Sequence, residues 1–133
     1  MIINTNKIIN ALEQLSKGNI IIYKTDTIYG LGADATNSKA IEKINNLKGR
    51  NIPLSIMIPN IESIYKYAYI NKKQNKEISK LLPGPYTILL NSRKNILSDL
   101  VQKQSSKIGI RIPNNKFCLN LLKRYNKPII TTS

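Results

Sequence analysis

Apolar and polar residues alternate along this chain with two different periods, which separate predicted helices from predicted strands. Four apolar residues recur at helical spacing near the start: Ile8, Ile9, Leu12 and Leu15. They predict a helix over residues 5–17 that Gly18 ends. The run of Ile and Tyr over residues 20–23 is short, branched and apolar, and it predicts a strand. A loop rich in Thr, Asp and Gly is expected over residues 24–34.

A second helix is predicted to begin at Ser38, which can cap it, and to end at Lys48 and Gly49. Its expected inner face is a row of apolar residues: Ala40, Ile41, Ile44 and Leu47. Residues 61–82 have the pattern of one or two helices, and Pro113-Asn114 is expected to open another. That last helix has three apolar positions: Phe117, Leu121 and Leu122. Four further strands are predicted at residues 54–58, 86–90, 107–111 and 128–132.

Strands separated by helices predict an α/β fold with one sheet. A length of 133 residues allows one domain over 1–133. No apolar run approaches the ~20 residues that span a bilayer, and the first residues lack the pattern of a signal peptide. We therefore expect a cytoplasmic protein without membrane contact. In such sheets ligands bind beyond the strand ends, which directs attention to the polar residues there.

The chain has no histidine and one cysteine, Cys118. Nucleophiles paired with histidine and histidine-ligated zinc sites are therefore excluded. Because its neighbours in the predicted helix are apolar, Cys118 is expected to be a buried thiol. The sulfur of Met57 is likewise expected to pack in the core.

A net charge of +14 comes from 17 Lys and 4 Arg against 7 acidic residues. A surface for RNA or other phosphates is one interpretation. A solvated lysine-rich surface is the other, because Ile and Asn are also abundant, as in proteins of AT-rich genomes. Two of the arginines, Arg93 and Arg124, are expected at the surface.

Four polar clusters follow strands or a helix, and each allows a structural and a functional interpretation. Residues 24–32 read Lys-Thr-Asp-Thr-Ile-Tyr-Gly-Leu-Gly, which suits either a tight turn or a ligand loop. Residues 48–50 read Lys-Gly-Arg, which suits either a helix C-terminus or a phosphate clamp. Residues 108–113 place Arg111 at a strand end, where it suits either a surface ion pair or a bidentate contact with a carboxylate. Residues 128–133 end in three hydroxyl-bearing residues, which suit either a turn or contacts with an anion or a ribose.

Together with Pro83-Gly84-Pro85-Tyr86-Thr87, these clusters resemble in order the motifs of the YrdC/TsaC threonylcarbamoyl-AMP synthases. The resemblance runs from the first predicted helix to Ser133. It implies a twisted mixed β-sheet flanked by helices around a deep basic cavity. It also leads us to expect that the family domain continues past Ser133, so that this YrdC-like domain is incomplete at its C-terminus.

The resemblance further implies an enzyme, a nucleotidyltransferase that converts L-threonine, bicarbonate and ATP with Mg²⁺ into threonylcarbamoyl-AMP and pyrophosphate. Thr27, Arg111 and Thr131 would bind L-threonine. Four other residues would bind ATP: Lys48, Arg50, Lys107 and Ser133. No side chain would act as a covalent nucleophile, and Lys48 and Arg50 would position and neutralise the phosphates.

In that family the product serves a partner transferase complex that forms threonylcarbamoyladenosine on tRNA. A non-catalytic module that binds double-stranded RNA or tRNA is the alternative, and the charge of +14 favours it. A carbamoyl-adenylate domain like that of hydrogenase-maturation carbamoyltransferases is a third interpretation. Such domains occur in much longer chains, which argues against this third interpretation.

Overall fold

The computed structural model describes residues 2–4, 7–24, 29–49 and 53–132. The elements within these ranges, in chain order, are β1 (Ile2–Asn4), α1 (Ile8–Ser16), β2 (Ile20–Lys24), β3 (Tyr29–Asp34), α2 (Ser38–Lys48), β4 (Ser55–Met57), α3 (Ile64–Tyr67), β5 (Ala68–Tyr69), α4 (Lys72–Ile78), β6 (Ile88–Ser92), α5 (Asp99–Gln102), β7 (Lys107–Arg111), α6 (Lys116–Tyr125) and β8 (Ile129–Thr132).

The strands of the described residues form one mixed sheet in the order β1-β2-β3-β8-β4-β7-β6-β5. Strand β1 is parallel to β2 and β4 is parallel to β7, whereas the other neighbours are antiparallel. The predicted α/β fold with a twisted mixed sheet is therefore confirmed. Five strands were expected, and the three additional ones are β1, β3 and β5.

The predicted loop over residues 24–34 is wrong for its second half, which is strand β3. Gly30 and Gly32 gave this segment the composition of a loop. Its backbone nevertheless pairs on one side with β2 and on the other with β8, and these hydrogen bonds make it a strand. Strand β6 is also shifted, to Ile88–Ser92 instead of 86–90.

The first two helices are confirmed, but each has one apolar residue that was predicted to face the core and is exposed to solvent. Ala11 and Leu15 of α1 are buried, whereas Ile9 is 72% exposed. In α2, Leu47 is 51% exposed because the buried stripe ends at Ile44. The remaining predicted inner residues of that helix, Ala40 and Ile41, are buried as expected.

Both helix ends predicted from glycine are confirmed. Gly18 has φ +79° and Gly49 has φ +66°, and glycine adopts this left-handed backbone without steric cost. The predicted N-cap is wrong by one residue, because the side chain of Asn37 accepts the hydrogen bond from Ala40 N at 3.1 Å. The Ser38 hydroxyl lies 2.6 Å from that of Ser98 instead.

The later helices agree with the sequence pattern. Residues 61–82 contain two helices, α3 and α4, and the final helix is α6. Helix α6 begins after Asn115, whose side chain accepts a hydrogen bond from Cys118 N at 3.0 Å. Cys118 itself is fully buried, as predicted. The one-turn helix α5 was not predicted.

The two faces of the sheet bury separate cores. Helices α2, α3, α4 and α5 cover the face that carries Ile56, Ile108 and Ile130. Helices α1 and α6 cover part of the opposite face, around Ile21 and Ile129. Among the helices in the described ranges, none has the length and apolar character that crossing a bilayer requires.

Candidate functional site

The predicted ligand residues Arg111 and Thr131 lie on the same face of the sheet. Thr131 is paired with Ser55, and Ser55 is paired with Gly109 of the next strand. Arg111 follows Gly109 by two residues, and alternate residues of a strand share a face. This face is the one that α1 and α6 cover in part.

Small residues line this face where the helices leave it uncovered. An added Cβ at Gly109 would lie 2.5 Å from Ser55 Oγ and 3.2 Å from Thr87 Cγ2. Position 109 therefore has no room for a side chain, because the side chains of Ser55 and Thr87 fill the space. Ser55 and Thr131 are half-buried, and Leu89, which is paired with Gly109, is 69% exposed. We call this uncovered surface, from Thr131 across to Leu89, the open face.

Tyr23 joins the covered part of this face to the predicted threonine site. Its hydroxyl donates to Met57 Sδ at 3.7 Å. Burial raises the pKa of Tyr23, while a hydrogen bond with Thr131 and the charge of Arg111 act in the opposite direction. Tyr23 is thus hydrogen-bonded to one predicted threonine ligand and influenced by the charge of the other.

The position of Arg111 matches the sequence prediction. It is the last residue of β7 and only 9% exposed. Its carbonyl accepts a hydrogen bond from Ile58 N at 3.0 Å, which holds the strand end against the chain leaving β4. A guanidinium held in such a shielded position can bind a carboxylate through two parallel hydrogen bonds.

Two predicted ATP ligands occupy different places. Lys107 lies on the same face at the opposite end of β7, and its Nζ donates to Asn91 Oδ1 at 2.7 Å. Lys48 ends α2, a helix that packs on the other face, so it is not part of the open face itself. Thr27, Arg50 and Ser133 lie outside the described residues. Convergence of Arg50 and Arg111 on one deep basic cavity therefore stays a prediction.

Other polar contacts near this face anchor α6. Asp34 is 4% exposed and accepts hydrogen bonds from Tyr125 Oη at 2.5 Å and from Thr36 N at 2.8 Å. Lys127 Nζ lies 3.7 Å from the same carboxylate. Burial and the Asp34 carboxylate raise the pKa of Tyr125, since both disfavour a second negative charge. These contacts fix the end of α6 to β3.

Sequence reasoning missed Tyr23 as part of the site, and it placed Gly32 in a ligand loop without predicting its contact with the tyrosine ring. An added Cβ at Gly32 would lie 2.6 Å from Tyr23 Cε1, so this glycine makes space for the tyrosine ring. The available signal was a tyrosine in a strand otherwise made of isoleucine. Met57 was expected to pack in the core, and it is fully buried beside Tyr23, as predicted.

A sequence model of the Sua5/YciO/YrdC family, described by the words telomere recombination, matches residues 13–133. The chain belongs to this family. A putative threonylcarbamoyl-AMP synthase of Methanocaldococcus jannaschii is 43% identical over 123 residues, which cover 91% of this chain and 56% of that protein. The chain thus spans little more than half of this curated relative.

Two solved structures have closely similar folds. Sua5 of P. abyssi in complex with L-threonine superposes with a TM-score of 0.88 at 27% identity, covering 100% of this chain and 42% of that one. E. coli YciO superposes with a TM-score of 0.86 at 26% identity, covering 100% of this chain and 68% of that one. The resemblance inferred from the motifs is therefore confirmed.

Proposed function

We propose that this chain carries the substrate-binding sheet of a threonylcarbamoyl-AMP synthase. The observation that carries the proposal is the placement of Arg111 and Thr131 on one partly open face, joined through Tyr23. The fold similarity to Sua5 in complex with L-threonine supports it. The reaction would convert L-threonine, bicarbonate and ATP into threonylcarbamoyl-AMP and pyrophosphate.

In this proposal the guanidinium of Arg111 holds the carboxylate of L-threonine through a bidentate contact. The Thr131 hydroxyl assists, and Thr27 completes the contacts. Burial strengthens the ion pair, because the shielded site has a lower effective dielectric constant than water.

The chemical step would need no nucleophile from the protein. The amine of L-threonine first takes up bicarbonate as a carbamate, with loss of water. A carbamate oxygen then attacks the α-phosphorus of ATP, while the bond to the β-phosphate oxygen breaks and pyrophosphate leaves with the electron pair. Lys48, Arg50, Lys107 and Ser133 would position the phosphates and neutralise charge.

The residues present fit Mg²⁺ only as a companion of ATP. The described ranges contain no group of three or more Asp, Glu, His or Cys side chains that could hold a metal ion. Mg²⁺ commonly binds to substrate phosphates with few protein ligands. When bound, it would neutralise charge on the phosphate oxygens, and the lysines and Arg50 would orient them.

The product would pass, in the cytoplasm, to a transferase complex that completes threonylcarbamoyladenosine on tRNA. The direct test is pyrophosphate release by the full chain. Release should require L-threonine, bicarbonate and ATP together, and omission of any one should abolish it. Release that is independent of L-threonine would contradict the proposed reaction.

Two arginine variants test the proposed division of roles. Arg111→Ala should weaken L-threonine binding about tenfold or more, with ATP affinity nearly unchanged, because it removes a buried charged hydrogen-bond donor. Arg50→Ala should have the opposite effect. Arg124→Ala, at an exposed position on α6, is the control. Equal losses for both ligands in either variant would contradict these roles.

The net charge of +14 favours a second candidate, a non-catalytic module that binds double-stranded RNA or tRNA. Such binding would weaken steeply with added salt and show little sequence preference. Salt-sensitive duplex binding without any pyrophosphate release would favour this candidate over the synthase.

A further inference from the structure

Arg93 and Tyr69 form a stacked pair at the outer edge of the sheet. Tyr69 of β5 is paired with Asn91 of β6, and Arg93 follows Asn91 by two residues. The Arg93 Cζ atom lies 4.3 Å from the centre of the Tyr69 ring, within the range of a cation–π contact. Arg93 was expected to be a surface arginine, but it is half-buried by these neighbours.

The Arg93 side chain is held in place before any ligand arrives. Its Nε donates to Tyr65 O at 2.6 Å, and its backbone N donates to Tyr67 O at 2.8 Å. Within the described ranges, no hydrogen bond engages either terminal Nη group of Arg93. A fixed guanidinium with its terminal groups available matches the geometry of a phosphate.

The aromatic surface beside Arg93 is open to solvent. Tyr69 is 55% exposed although Arg93 lies over its ring, and Tyr65 is 42% exposed. Exposed tyrosine rings next to cations stack on nucleic-acid bases, and such stacking tolerates any base sequence.

Two exposed lysines adjoin residues of this cluster in the sequence. Lys66 and Lys94 are exposed and adjacent in sequence to Tyr65 and Arg93. Arg93 and Lys94 also line a cavity of about 540 Å³, where Asp99 is the one acid among the described lining residues. That volume lies within the range of small-molecule sites, roughly 300–1,000 Å³. A polyanion therefore suits this surface better than a neutral partner.

We propose that Tyr69 and Arg93, together with Lys94, bind an unpaired strand of RNA. One base stacks on the exposed surface of Tyr69, and a neighbouring phosphate is bound by the Nη groups of Arg93. The stacking surface favours RNA over an acidic protein, which would use only the charges. The choice of RNA as the nucleic acid rests on the proposed function, whose product is destined for tRNA.

The location relates this surface to the open face. Tyr69 pairs with Asn91, and Asn91 pairs with Lys107, so the three residues form one row across the sheet. An RNA strand bound at Tyr69 would lie along the margin of the face that carries Thr131 and Arg111. It would therefore lie beside the proposed substrate site, two strands away from Lys107.

The absence of tryptophan from the chain permits a direct spectroscopic test. In Tyr69→Trp the single indole should lose fluorescence saturably when a 12-nucleotide single-stranded RNA is added, because bases stack on it. Tyr86→Trp, at another exposed tyrosine, is the matched control and should keep its fluorescence. Equal quenching in both variants, or equal quenching by poly-glutamate, would overturn the proposal.

Affinity measurements by fluorescence anisotropy provide the second test. Tyr69→Leu should weaken single-stranded RNA binding about fivefold or more and leave RNA duplex binding unchanged. Arg93→Ala should weaken binding and lower the salt dependence by about one phosphate contact, whereas Arg124→Ala should not weaken the stacked mode. Wild-type affinity of Tyr69→Leu for single strands would overturn the proposal.

Pyrophosphate release by the same variants distinguishes a failure of the RNA proposal from a failure of the proposed enzyme function. Tyr69→Leu should release pyrophosphate at the wild-type rate, since Tyr69 is not one of the predicted substrate ligands. If the wild-type chain shows no synthase reaction but the Tyr69→Trp signal appears, the enzyme proposal fails and the RNA surface stands. If the wild-type chain shows the synthase reaction but the Tyr69→Trp signal does not appear, the RNA surface is refuted and the enzyme proposal stands.

Discussion

Replacing Gly32 by alanine tests the packing beneath the proposed threonine site. The added Cβ would lie 2.6 Å from Tyr23 Cε1 and 3.2 Å from Ile129 Cγ2. Neither neighbour can retreat easily, because both are buried beneath α1 and α6. A contact at 2.6 Å is too short for two carbon atoms, so the ring of Tyr23 must shift.

The expected loss of unfolding free energy is about 2 kcal/mol. Forcing an extra methyl into a packed core costs up to ~3 kcal/mol. Replacing glycine by alanine gives back up to ~1 kcal/mol, because the unfolded chain loses conformational freedom. Because Thr131 is bonded to the displaced Tyr23, L-threonine binding should weaken as well.

Urea denaturation of the wild type and the variant measures this loss. Gly49→Ala is the control, because among the described residues no atom outside its own helix and chain neighbours lies within 4 Å of the added Cβ, so that its φ of +66° is what opposes alanine. Tyr23→Leu should partly rescue Gly32→Ala but not Gly49→Ala, since only the first clash involves the ring. Additive losses for Gly32→Ala and Tyr23→Leu, or a neutral Gly32→Ala, would refute the packing argument.

Two further predictions concern the tyrosines whose pKa is raised. The folded state keeps the proton of Tyr23 above pH 10 while the unfolded state releases it, so Tyr23 should lower the unfolding free energy there by up to about 1.4 kcal/mol per pH unit, and Tyr125 should add to this loss. Denaturation at pH 8 to 11 checks this, and a flat profile would contradict it. Tyr125→Phe should cost about 1 kcal/mol at pH 7, because it removes the hydrogen bond to Asp34. The variant should also reduce the loss of unfolding free energy above pH 10. An unfolding free energy equal to that of the wild type at pH 7 and at pH 11 would show that the Tyr125–Asp34 hydrogen bond contributes nothing.

Local chemistry allowed the sequence to predict several elements correctly. The strand at 107–111 has two β-branched isoleucines at alternate positions, and its predicted bounds agree with β7. Gly18 and Gly49 end helices because glycine adopts the left-handed backbone without steric cost. Met57 and Cys118 are buried because their neighbours are apolar. The ordered motifs were sufficient to predict the family, because each depends on residue type and spacing alone.

Pairing between distant segments decided what the sequence could not show. Gly30 and Gly32 belong to a strand because β2 and β8 flank it, and the two residues of β5 are a strand only because β6 lies beside them. Ile9 has helical spacing, yet the position of α6 leaves it exposed.

The meeting of Tyr23 with Thr131, more than a hundred residues later, also depends on strand order. Composition and periodicity indicate only the local structure of residues that are close together in the chain. Strand neighbours and shared faces arise instead from hydrogen bonds and packing between distant segments, so only the folded structure determines them.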